Sequence, residues 1–156
     1  MKALKKTASN ASKTTMKPGK GKTWTDKVND PTKEFTIKKL EKDFADMPAG
    51  SKMLIATPKI IDSYIRHIPK GKGGSLATMR RDLASEYGAD YTCPVTSGIF
   101  LRIVSEAAHE QIEKGVALNK ITPFWRVIDS QSKLIKKLSF GETFVQQQRK
   151  KEGLDL

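Results

Sequence analysis

Between Thr57 and Gly115 the chain is divided by residues that start and stop helices, and this punctuation constrains its fold more than any other feature. Thr57-Pro58 offers an N-cap followed by proline at the first helical position, where a fixed φ suits the helix and the missing N–H is not needed. Ile60, Ile61, Tyr64, Ile65 and Ile68 then fall on one helical face, and Pro69 ends the segment. Lys70-Gly71-Lys72-Gly73-Gly74 reads as a flexible basic loop. Ser75 caps a second helix whose buried stripe is Leu76, Met79, Leu83 and Tyr87, with Gly88 as its stop. Arg80 and Arg81 therefore belong at the edge of that stripe or outside it. Pro94 opens the longest helix, which runs to about Lys114 and stops at Gly115. Its expected core face is Val95, Ile99, Ile103, Val104, Ala107 and Ile112, leaving Thr96, Ser97, Arg102, Ser105 and His109 for other faces.

Strand signals are fewer. Met53-Leu54-Ile55-Ala56 is a short apolar run of strand type. Trp125-Arg126-Val127-Ile128 and Leu134-Ile135-Lys136 read as two short strands joined through Asp129-Ser130-Gln131-Ser132. A closing helix is expected from about Glu142 to Lys151, with Phe144 and Val145 inward and Gly153 at its end. The expected fold class is mainly α, of the α+β kind: a winged helix-turn-helix-like domain over residues 52–156 with a small β-hairpin. In that architecture the second helix of the pair enters the major groove and the hairpin touches the backbone beside it.

The 156 residues suffice for one domain with a core of its own. Apolar residues make up only 37% of the chain, so part of it is expected to lie outside that core. Residues 1–22 carry seven lysines and no acidic residue, among Thr, Ser, Ala and Gly. Such a segment buries too little apolar surface to offset its ordering entropy, and it reads as a disordered basic arm that follows phosphates or serves as a solubilising tail. Residues 23–51, where Trp24, Phe35, Ile37, Leu40 and Phe44 alternate with charges, read as a loosely structured lead-in to the domain.

Lys and Arg number 29 against 17 Asp and Glu, a formal net charge of +12. That excess suits a polyanionic partner, because each neutralised phosphate releases condensed counterions. With Cys93 as its single cysteine the chain cannot form an internal disulfide. It has neither the apolar core of a signal peptide nor a run long enough to span a membrane. The expected setting is a reducing cytoplasm, at the nucleoid in a bacterium, with no membrane partner.

Four strings in order carry a family resemblance. Ile68-Pro69-Lys70-Gly71 resembles an Ile-Pro-x-Gly that ends a first helix, and Leu83-Ala84 an Ile/Leu-Ala that closes the first helix of a helix-turn-helix. Thr122-Pro123-Phe124-Trp125-Arg126-Val127-Ile128 resembles the active-site string Ile-Pro-Cys-His-Arg-Val-Ile. Gln148-Arg149-Lys150-Lys151-Glu152-Gly153 resembles a closing helix that ends in Glu-Gly. Together they make the stretch from Tyr64 to Gly153 similar to the DNA-binding domain of the alkylguanine-DNA alkyltransferases (the methylated-DNA-protein-cysteine methyltransferase family) and their non-catalytic alkyltransferase-like relatives. The resemblance implies a DNA-repair setting, duplex DNA as partner, alkylated or damaged bases as the lesion class, no cofactor and a monomer.

The departures bear on activity. Where the family has its nucleophilic cysteine this chain has Phe124, and where it has the general-base histidine this chain has Trp125. Neither can supply a thiolate or polarise one, so the family's alkyl transfer is not expected here. Arg126 matches the family's arginine, which implies that it anchors the turn through hydrogen bonds. Gly98 falls where the family's base-replacing arginine would be, Arg102 lies a turn later, and Arg80 takes the place nearest the nucleotide-rotating tyrosine. Phe124 and Trp125 either line a pocket that stacks a flipped base or fill it as core; two adjacent bulky side chains favour filling.

Other motifs carry less. Gly21-Lys22-Thr23 imitates the end of a phosphate-binding loop, but its first glycine would be Met16 and no strand precedes it. His67 and His109 with one cysteine make no usual zinc set. His67 reads as a helix C-terminal cap and His109 as solvent-facing. Cys93, at a helix start before Pro94, reads as a small buried or capping residue, with a reactive thiol as the other reading.

The expected function is non-catalytic binding of duplex DNA. The helix starting at Pro94 would face the major groove with Thr96 and Ser97 near its leading end and Arg102 also on the DNA side, and Arg80, Arg81, Lys133 and Lys136 would hold phosphates. An alkyl-accepting transferase using Cys93, and a protein- or RNA-interaction module on the same fold, are the other readings.

Overall fold

The computed structural model describes residues 17–154. Most of the expected basic arm, residues 1–16, lies outside the described residues. The fold is mixed α and β. Its elements are α1 (Trp24–Val28), β1 (Thr36–Lys39), β2 (Lys52–Ile55), α2 (Pro58–Arg66), α3 (Leu76–Glu86), β3 (Tyr91–Thr92), α4 (Pro94–Glu113) and α5 (Thr143–Lys151). Short 3-10 turns at Leu118–Lys120, Phe124–Arg126 and Lys133–Lys137 join α4 to α5.

The helix punctuation acts as expected. The Thr57 hydroxyl accepts from the Ile60 N–H at 3.2 Å and the Ser75 hydroxyl from the Thr78 N–H at 3.1 Å, each satisfying a donor that the helix start leaves open. Gly88 and Gly115 follow α3 and α4 at φ of 70° and 93°, a conformation glycine enters without a Cβ penalty.

β2 is the central strand of a three-stranded sheet in the order β1-β2-β3. β1 pairs with it antiparallel, Thr36 opposite Ile55, and β3 pairs parallel, Met53 opposite Tyr91. The parallel pairing requires a long crossover, which α2 and α3 supply.

Residues 23–51 are built into the fold rather than laid loosely before it. Thr23 and Asp26 form a reciprocal capping box, side chain to N–H in both directions at 3.0 Å. The Glu110 carboxylate of α4 then accepts from the Trp24 and Thr25 N–H groups at 3.0 and 3.1 Å and from the Thr25 hydroxyl at 2.7 Å. A carboxylate beside the positive end of α1 thus pins that helix to α4. Val28 joins the main core, and Leu40 and Met47 join Met53 and Cys93 in a second, smaller one.

The expected β-hairpin does not form. Trp125 and Arg126 lie in the 3-10 turn Phe124–Arg126, with Val127 its C-cap, and Leu134, Ile135 and Lys136 lie in the turn Lys133–Lys137. A surface hairpin needs alternate residues turned outward, but Phe124, Trp125, Val127 and Ile128 are all at most 3% exposed. The Asp129 carboxylate accepts from the Gln131 N–H and the Ser132 hydroxyl from the Leu134 N–H, which holds the connection in successive tight turns. The winged element of the expected architecture is therefore replaced by helical turns.

α4 is the axis of the molecule, and its faces differ from the expected assignment. Leu101 through Ala108 are eight consecutive buried residues, because α1, α2, α3 and the two later turns enclose this stretch. Val95 and Ile99, read as core, are 57% and 42% exposed, while Ser97, Arg102 and Ser105 are buried. His109, read as solvent-facing, stacks on Phe140 with ring centroids 4.0 Å apart. No described helix is long and apolar enough to cross a membrane.

Candidate nucleic-acid interface

The string Thr122–Ile128 folds into a turn gripped through both the side chains and the carbonyls of Trp125 and Arg126. The Arg126 guanidinium meets the Glu152 carboxylate through Nε at 2.9 Å and Nη2 at 3.0 Å, and its Nη1 donates to the Ile68 carbonyl at 2.7 Å. Trp125 Nε1 donates to Glu152 at 2.8 Å, and the Gly71 N–H to the same carboxylate at 3.0 Å. Arg149 Nη1 reaches the Trp125 carbonyl, and the Gly74 N–H the Arg126 carbonyl, both at 2.7 Å. Gly71 sits at φ 82°, which turns the loop back toward Glu152. Burial would raise the Glu152 pKa, but the hydrogen bonds from Arg126, Gly71 and Trp125 outweigh it and hold the carboxyl below its ordinary range.

At the centre of this turn Phe124 is fully buried and Trp125 is 3% exposed. Phe124 lies 5.4 Å from Trp125, 5.7 Å from Phe140 and 5.8 Å from Phe144, centroid to centroid. These are the contact distances of an aromatic core. Phe124 is enclosed by these rings, as filling requires, whereas Trp125 also forms part of the wall of a groove of about 600 Å³ with Ile121, Pro123 and Arg126.

The cations expected at DNA do not all share one groove, and Arg80 lines two grooves. Arg80, Arg102 and Lys133 line one groove of about 730 Å³, which runs between the start of α3, the first turns of α4 and the turn from Asp129 to Lys137. Lys137 lines it too. Asp129 is the one carboxylate among the lining residues, and its Oδ1 accepts from the Gln131 N–H. Arg80 Nε is tied to the Thr92 carbonyl at 3.0 Å, which fixes its stem against β3. Arg81 lies around α3 in a neighbouring groove that also contains Asp46 and Asp90. Lys136 is exposed but outside the main groove.

Ser97 and the Thr96 hydroxyl, expected at the leading end of the helix that faces DNA, are turned inward. Ser97 is 1% exposed and its hydroxyl donates to the Cys93 carbonyl at 2.6 Å. Thr96 Oγ1 is buried with no hydrogen-bond partner among the described residues. The groove side of α4 is formed instead by Pro94, Val95, Gly98, Ile99 and Arg102. Polarity misled here: the hydroxyl of a helical serine returns to the carbonyl four residues earlier, which lets it sit on an inward face.

Arg102 is the groove residue that spacing alone least explains. Its side chain is 9% exposed, its Nε is 4.0 Å from Glu106, and that nitrogen has no hydrogen-bond partner among the described residues. Glu106 is committed elsewhere, accepting from the Ser139 N–H at 2.7 Å and from the Ser139 hydroxyl. Burial draws the guanidinium pKa below its ordinary value, with Glu106 opposing.

Cys93 is the N-cap of α4, 4% exposed, and makes no side-chain capping hydrogen bond. His67 is the C-cap residue of α2, its Nδ1 2.7 Å from the Ser63 carbonyl oxygen. Among the described residues no group of three or more His, Cys, Asp or Glu is placed to hold a metal ion.

Compared with protein-family models, with curated proteins and with solved structures, the chain matches none.

Proposed function

We propose that this protein binds duplex DNA through the groove between α3, α4 and the Asp129–Lys137 turn, and that it does so without alkyl transfer. The observation that carries the reading is the lining of that groove: Arg80, Arg102, Lys133 and Lys137 against a single carboxylate. A net charge of +12 adds long-range attraction for a polyanion. Exposed Val95 and Ile99 at the leading end of α4 give the same face apolar side chains suited to thymine methyl groups or the edge of a base step.

The absence of alkyl transfer is supported by Phe124 and Trp125, which stand where the resembling family has its cysteine and histidine and which are packed as core. On this reading the scaffold resembles an alkyltransferase-like protein whose base pocket is occupied by its own side chains. Duplex DNA is then recognised with or without an alkylated base.

Fluorescence anisotropy with a labelled duplex tests this. Raising salt from about 50 to about 200 mM should weaken binding steeply, with log K falling by roughly 0.9 per log unit of salt for each phosphate contacted. A matched duplex with one alkylated guanine should bind equally well. Absence of duplex binding at the lower salt rejects the DNA reading. Clear preference for the alkylated duplex rejects the filled pocket.

A further inference from the structure

We propose that the floor of the α3–α4 groove is a discrete site for one phosphate group, anchored by Arg102. The proposal deepens the DNA reading and rests on it only for the source of the phosphate.

Arg102 is buried without the acceptors its chemistry calls for. A guanidinium carries five N–H donors and stays charged, so burying nine-tenths of the side chain is costly unless an anion accepts from it. Its nearest carboxylate, Glu106, is 4.0 Å from Nε and is already engaged by Ser139. A 4.0 Å separation is an ion-pair distance and not a hydrogen bond. The Nε donor of Arg102 is thus unpaired but shielded, so an anion in the groove that the residue lines would meet the guanidinium through its Nη groups.

The surroundings specify the missing acceptor. Lys133 and Lys137 are exposed on the same groove, and Arg80 stands across it with Nε held by Thr92. Convergent cations around a guanidinium fit a phosphate, whose oxygens take a planar fork of donors two at a time. The first turn of α4, which has no side-chain cap, borders the groove with its positive end. The groove volume of about 730 Å³ exceeds what a bare phosphate needs, and Val95, Ile99 and Leu134 give it apolar wall. The group it fits is therefore a phosphate attached to an organic body, as a backbone diester or a strand-end monoester.

The test is NMR of the arginine side-chain Nε–H resonances in the full chain, titrated with inorganic phosphate and, at matched ionic strength, with sodium chloride. One resonance, identified by its disappearance in Arg102→Lys, should shift saturably with phosphate and stay in place with chloride. Lys133→Ala alters an exposed side chain and leaves the core intact. It should weaken the phosphate response by about three- to fivefold, the size of one exposed charge pairing. No shift with phosphate, or equal shifts with both salts, overturns the site.

An intact duplex and a duplex with 5′-phosphorylated ends, each compared with its dephosphorylated form, separate the two sources. A shift with the intact duplex assigns the backbone, and a shift only with phosphorylated ends assigns the terminus. Duplex binding by anisotropy with Arg102 unmoved by duplex and phosphate alike rejects this site and leaves the DNA reading standing. A phosphate response without duplex binding does the reverse.

Discussion

Arg126 holds Glu152 in a two-pronged contact, Nε at 2.9 Å and Nη2 at 3.0 Å, across 26 residues of sequence. The pair is largely shielded, with side chains 13% and 6% exposed. Glu152→Ala removes the acceptor from Arg126, Trp125 and Gly71 together. The expected destabilisation is about 3 kcal/mol of unfolding free energy, typical for one partner taken from a buried pair. Urea denaturation measures it, and a change under about 1 kcal/mol would mean that the three donors find water instead.

Acid should weaken the same pair. The Glu152 carboxyl lies below its ordinary value in the folded chain, so the unfolded chain takes up a proton first as pH falls. Its stabilising contribution is full above the ordinary glutamate value of 4.5 and is lost as pH falls through the lower folded value. The stability gap between the wild type and Glu152→Gln should therefore narrow between about pH 7 and about pH 3. Urea midpoints at the two pH values check the direction, and a gap that widens on acidification contradicts it.

Phe124→Ala opens a cavity among Trp125, Phe140 and Phe144. A cost of about 3–5 kcal/mol is expected, the range for a fully buried phenylalanine. Equilibrium unfolding reads it directly. A cost near zero would mean that the aromatic cluster collapses onto the vacated space.

Native Cys93 should react slowly with a thiol-specific reagent, because its side chain is buried in the small core with Met47 and Met53. The reaction should speed up greatly in denaturant. Rapid stoichiometric labelling of the folded protein would instead favour the reactive-thiol reading of this residue.

Lys133→Ala with Lys137→Ala should lower duplex affinity at all sequences and reduce the salt slope by roughly 1.8, at 0.9 for each phosphate no longer neutralised. Arg81→Ala, around the helix from this groove, should change the slope little. The reverse pattern would place the DNA on the α3 face beside Asp46 and Asp90.

The sequence was most legible where single residues govern backbone geometry. Thr57-Pro58, Ser75, Pro94, Gly88 and Gly115 bound α2, α3 and α4 because caps, proline and positive-φ glycine act locally. It was least legible where several neighbours bury one segment. The centre of α4 is enclosed on several sides, so no single apolar stripe marks its inner face, and Ser97 and Ser105 go inward with hydroxyls satisfied by their own helix. Trp125–Ile128 is short and apolar, a pattern shared by strands and buried turns, and the turn that begins at Thr122 and Pro123 settles which one forms. Of the groove, Arg80, Arg102 and Lys133 were readable as cations, but their convergence depends on packing between distant parts of the chain.

The hub at Glu152 also orders events in time. Its partners are Gly71, Trp125 and Arg126, so it ties the loop before α3 and the turn after α4 to the residue that follows α5. During synthesis from the N-terminus, α2, α3 and α4 emerge while this carboxylate has yet to be made. A chain ending short of residue 152 therefore lacks the one carboxylate that joins the loop before α3 to the Trp125–Arg126 turn.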